Sequence, residues 1–97
     1  MNTANLQLEG VYLVLAALFQ ALMAKSVFNE TELIAILSEV ERNIATDRSR
    51  PVEVRGSNVE AMCFPARFLK SALHASSQGR TPSFAEVVSL VSQKPGE

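Results

Sequence analysis

The sequence predicts an all-α fold of four helices, and three observations carry that expectation. Apolar residues recur at three- and four-residue spacing in four separate stretches, as one face of a helix requires. Three of those stretches open on a Ser or Asn followed three residues later by Glu, the capping-box spacing: Asn29/Glu32, Ser57/Glu60 and Ser83/Glu86. The remaining stretch, at the N-terminal end, is rich in Leu and Ala, both strong helix formers.

Ninety-seven residues with 47% apolar content suit one domain over 1–97, because a second core becomes common only beyond about 150 residues. Charged residues make up 20%, a foldable composition rather than a disordered one.

The first helix is expected over about 4–25. Between Val11 and Ala24 only Gln20 is strongly polar. The densest stripe, Leu8, Val11, Tyr12, Leu15, Leu18, Phe19 and Leu22, is the expected core face. The other side, with Glu9, Leu13, Ala16, Ala17, Gln20 and Ala24, is mostly small and apolar, and a helix without a properly polar face is normally covered on more than one side. Two arrangements satisfy that. Either the other three helices surround this one, or the Leu13–Ala24 side packs against a second copy of the chain. A chain this small has few residues with which to wrap a helix completely, which favours a homodimer with Leu13, Ala16, Ala17, Gln20 and Ala24 as its contact residues.

The second helix, about 30–45, starts at the Asn29 cap and places Leu33, Ile36, Leu37, Val40 and Ile44 on one face. Val27 or Phe28, just before the cap, is positioned to staple against Leu33 and close a tight antiparallel hairpin with the first helix. From Thr46 to Gly56 the chain is polar and contains Pro51, with a short alternating run, Val52 to Arg55, that suits an extended segment.

The third helix is expected over about 58–78. Val59, Met62, Cys63, Ala66, Leu69, Leu73 and Ser76 keep helical phase through Pro65, so a kinked helix is favoured over a break with a fresh start at Pro65. Gly79 is placed to end it in a left-handed conformation. A short fourth helix, about 83–93, follows on Phe84, Val87, Val88 and Val91, although its three valines suit a strand as well.

Charge is segregated along the chain. Residues 1–41 hold five Glu against Lys25, whereas residues 42–80 hold seven Arg and Lys against three acids. The two regions can attract each other within one chain or between two, or the basic region can meet an anion. Nucleic-acid binding would use the loop arginines Arg42, Arg48, Arg50 and Arg55 against phosphates. A helix–Gly–helix outline around Gly79 adds little, since the would-be reading helix has Glu86 and no basic residue before Lys94.

Catalysis finds no support. Cys63 and His74 are the only residues of their types and stand eleven apart, about 16 Å along one helix, too far for a nucleophile–base pair. The glycines are isolated, so no phosphate loop forms, and no metal-ligand spacing or cofactor motif occurs. One cysteine excludes an internal disulfide and favours a reducing, cytoplasmic home. The fourteen-residue apolar core is short for a bilayer, which needs about 20 residues, and its leader carries Glu9 with no Lys or Arg, unlike a secretory signal. The expected function is therefore a non-catalytic, self-associating helical interaction domain, with a nucleic-acid-binding regulator as the alternative.

Overall fold

The computed structural model describes residues 3–47 and 57–92, apart from the side chain of Ser57. It is all-α: α1 (Thr3–Ala24), α2 (Glu30–Thr46), α3 (Ser57–Ser77) and α4 (Phe84–Ser92), with no strand among the described residues. The Val52–Arg55 segment and Arg48, Arg50 and Arg55 lie outside the described residues.

Local chemistry accounts for the helix ends. Asn29 caps α2 reciprocally: its side chain accepts from the Glu32 amide at 2.8 Å, and Glu32 accepts from the Asn29 amide at 2.8 Å. Ser83 and Glu86 do the same for α4, at 3.2 and 2.6 Å. At the third expected box, the Glu60 carboxylate pairs with Arg67.

Two helices end in Schellman turns, in which a left-handed residue lets two amides reach back to otherwise orphaned carbonyls. After α3, Gly79 at φ 79° takes that role, with Arg80 N–H donating to Ala75 (2.9 Å) and Gly79 N–H to Ser76 (3.0 Å). After α1 it falls to Ser26 at φ 60°, with Val27 N–H donating to Leu22 and Ser26 N–H to Met23, both 3.0 Å.

The hub of the fold is α3. Each of the other helices packs against it, α2 most extensively, while α1 and α2 meet only sparsely. The expected tight α1–α2 hairpin is therefore replaced by two helices leaning separately on a third. Helix α3 can serve because it is apolar on two sides. Cys63, Ala66, Leu69 and Leu73 are buried, as expected, and so are Phe68, Ala72 and Ala75, which the single-face reading omitted. The helix runs continuously through Pro65. Its Met62, expected inside, is half-exposed.

An aromatic cluster ties three helices together. Tyr12 of α1 lies 5.1 Å from Phe68 of α3 and 5.8 Å from Phe84 of α4, ring centre to ring centre, and Phe68 lies 5.1 Å from Phe84. Phe64 joins at 6.2 Å from Tyr12. Pairs at such separations contribute about 0.5–1.5 kcal/mol each beyond simple burial. Burial also raises the Tyr12 hydroxyl above its ordinary pKa.

The α2–α3 seam is closed by charge. In antiparallel order, Glu30 meets His74 (3.1 Å), Ser38 accepts from Lys70 (3.3 Å), and Glu41 pairs with both Lys70 and Arg67, the latter at 3.1 Å. Arg67 turns its other end to Glu60 at 2.6 Å. Among the described residues, Glu39 and Glu41 of the acidic stretch thus pair with Arg42, Arg67 and Lys70 of the basic one within a single chain.

Candidate interaction surface

The buried face of α1 overlaps the expected one but takes in less of it. Ala16 is its single buried residue, and Tyr12, Leu15, Phe19 and Met23 pack beside it onto the core. Tyr12, Leu15 and Phe19 pack inward as expected, whereas Leu8, Val11 and Leu18 of the same stripe are about half-exposed. A helix apolar nearly all round carries little periodic signal, and aromatic partners on α3 and α4 decide which side goes in.

The result is a large exposed apolar surface on one helix. Leu6 (50%), Leu8 (53%), Val11 (49%), Leu13 (47%), Val14 (60%) and Leu18 (55%) all remain accessible. On α2, Ile36 and Val40 are exposed as well, although both were expected on its core face. Large exposed apolar patches on a protein surface commonly mark a protein or membrane interaction site.

Of the five residues expected to mediate self-association, Leu13, Ala17, Gln20 and Ala24 are exposed, and Ala16 belongs to the core. Four of them do more than share a face. Leu13, Ala16, Ala17 and Gln20 form one wall of a groove of about 230 Å³, closed on the other side by Phe68, Ala72, Pro82, Phe84 and Val87. Sequence reading missed that opposite wall because it depends on how α4 returns across α3.

Arg42, the described member of the arginine group, sits at the end of α2 with its guanidinium on Glu39. The fourth helix directs Phe84, Val87 and Val88 inward and leaves Glu86, Ser89 and Ser92 exposed, a poor face for a phosphate backbone.

Cys63 and His74 occupy different surroundings. Cys63 is 2% exposed, with its sulfur 3.9 Å from the Glu41 carbonyl, whereas His74 is exposed, between Glu30 at 3.1 Å and Gln78 at 3.2 Å. His74, with Ser77, holds the Glu30 carboxyl below its ordinary pKa. Among the described residues, no group of three or more His, Cys, Asp or Glu is arranged to hold a metal ion.

As a complete helix of 22 residues, α1 is long and apolar enough to cross a membrane by length and composition, which the fourteen-residue core alone was not. No family model, curated protein or solved structure matches the chain.

Proposed function

We propose that the chain is a small, non-catalytic interaction domain of the cytoplasm that self-associates through α1. The observation that carries this reading is the pair of opposed apolar faces on one helix, one seated on α3 and the aromatic cluster, the other bare. Fully burying a Leu or Val contributes about 1.5–3 kcal/mol. Six such side chains at half exposure therefore leave several kcal/mol available to an association that covers them. The inner face, fixed by Tyr12, favours α1 as part of a folded soluble domain over α1 as a leader or a bilayer span.

Sedimentation at micromolar concentration tests the proposal. A dimer is expected, with Leu13→Glu shifting it to monomer by placing a carboxylate in the contact. A wild-type monomer, or recovery of the chain in the membrane fraction, would overturn it.

A further inference from the structure

We infer that the groove between α1, α3 and α4 is a binding site for a small, neutral aromatic molecule with one hydrogen-bonding group. The self-association reading concerns the outer leucines and valines of α1, whereas this one concerns the cleft beside them, and either can fail without the other.

The space exists because three alanines meet there. Ala16 and Ala17 of α1 and Ala72 of α3 all line the groove, and their short side chains leave the gap between the helices open. Larger apolar residues at such positions commonly raise stability by filling space. This chain instead leaves about 230 Å³.

Size restricts the occupant. An engineered apolar cavity of about 150 Å³ is enough to hold benzene. The groove, at about 230 Å³, accommodates a molecule of one or two fused rings. It falls below the roughly 300–1,000 Å³ of sites for drug-sized ligands, and it cannot admit a helix 10–12 Å wide.

The chemistry of the lining restricts it further. Ala16, Phe68, Ala72 and Val87 are buried and form the floor, whereas Gln20 and Thr81 are exposed and lie toward the mouth. Phe68 and Phe84 both border the groove, with ring centres 5.1 Å apart and tilted by 38°. An inserted aromatic ring can meet them in offset or edge-to-face contact. No charged residue lines the groove, so nothing compensates the desolvation of a charged ligand. Its two polar residues are Gln20, from α1, and Thr81, from the connection between α3 and α4. A carboxamide and a hydroxyl each donate and accept, which suits a single N–H or O–H on the edge of a flat apolar body. Gln20 is also the residue that interrupts the most apolar stretch of the sequence, and its place at the mouth gives it a use.

Titration of the isotope-labelled full chain with indole, followed by amide chemical shifts, tests the site. Saturable shifts are expected at Ala17, Gln20, Ala72, Thr81 and Val87, with a dissociation constant of about 0.01–1 mM for so small a ligand. Shifts that rise without saturating, or that centre on Leu8, Val11 and Leu18, would show adsorption to the outer apolar surface and overturn the inference. Ala17→Leu fills the groove from an exposed position, so it should weaken indole at least tenfold while the melting temperature is maintained. Undiminished binding by this variant would overturn the site. Gln20→Met keeps the side-chain length and removes both hydrogen-bonding groups at another exposed position. It should weaken indole about three- to tenfold and leave N-methylindole, which lacks the N–H, unaffected. Equal loss for the two ligands, or none for either, would overturn the hydrogen bond to Gln20 and with it the class of ligand.

Discussion

The α2–α3 seam and the outer face of α1 are opposite solutions to covering a helix. Along the seam, a buried apolar stripe of Leu33, Leu37, Ala66 and Leu73 is flanked by a ladder of complementary charge, so each group has a partner inside the chain. On α1, the exposed side offers leucine, valine and alanine with neither a polar cover nor an internal partner face. Hydrophobicity alone does not choose the central helix. The more apolar α1 lies at the periphery, while α3, which mixes Lys70, Arg67 and His74 with its apolar residues, occupies the middle.

The sharpest way to break this contrast is at the point where the three helices on the α1 side converge. Phe68→Ala removes a side chain 1% exposed that contacts Tyr12 and Phe84, and should cost about 3–5 kcal/mol in urea unfolding. Two variants distinguish folding from association: Leu33→Glu, at a site 3% exposed, should prevent folding, whereas Leu13→Glu should still fold and should lose only the concentration-dependent part of its melting temperature that association supplies. Circular dichroism melts of the two variants make the comparison directly. Equal destabilisation would mean that Leu13 is part of the core.

The seam can be opened selectively. Glu41→Gln keeps the side-chain shape but leaves Lys70 and Arg67 facing each other without their shared carboxylate. The site is mostly shielded, so a loss of about 1–3 kcal/mol is expected, smaller than for Phe68→Ala because both cations can turn toward water and Arg67 keeps Glu60. A loss that vanishes at high salt would place the effect on the surface and not in the seam.

The helices and most of their ends were legible from sequence because each rests on a local rule. Asn29/Glu32 and Ser83/Glu86 cap as their spacing requires, and Gly79 adopts the left-handed turn that suits it. The short turn from Ser26 to Asn29 was legible, but its left-handed start was not, since nothing in Lys25–Ser26–Val27 announces a positive φ. Facing was less legible. For α2, Leu33 and Leu37 followed the pattern, but Ile36 and Val40 stand at the edge of the same stripe and stay exposed. For α1 the expected stripe packs inward at Tyr12, Leu15 and Phe19 but not at Leu8, Val11 and Leu18, and the positions of Phe68 and Phe84 fix which edge of it is covered. The interaction surface was partly readable, through Leu13, Ala17, Gln20 and Ala24, because an unneeded apolar side shows in composition. The α3 and α4 residues facing it depend on tertiary packing.

Acid should weaken the seam and a helix cap together. Neighbouring hydrogen-bond donors hold Glu30, Glu60 and Glu86 below the ordinary 4.5: His74 and Ser77 act on the first, Arg67 on the second, and the Ser83 amide and hydroxyl on the third. A carboxyl that is more acidic folded than unfolded stabilises the fold above its unfolded pKa, and that contribution fades as pH falls through the folded value. The melting temperature should therefore drop progressively below pH 4.5, with the Glu30→Gln protein showing a shallower fall. An identical slope in both proteins would remove Glu30 from the account.

The smallest expected effect concerns the link between the two contrasted regions. Ser26 joins α1 to α2 at φ 60°, a conformation that disfavours side chains other than glycine. Its amide and that of Val27 are both committed to the Schellman turn, so the angle cannot relax without losing two hydrogen bonds. Ser26→Gly relieves the strain but adds freedom to the unfolded chain, and these oppose each other, leaving an expected gain of up to about 1 kcal/mol in urea unfolding. Because α1 and α2 touch only sparsely, this turn is the main direct constraint between them. If Ser26→Gly destabilises the chain instead, stiffness of the link matters more than strain, and the orientation of α1 on α3 depends on its covalent connection as well as on Tyr12.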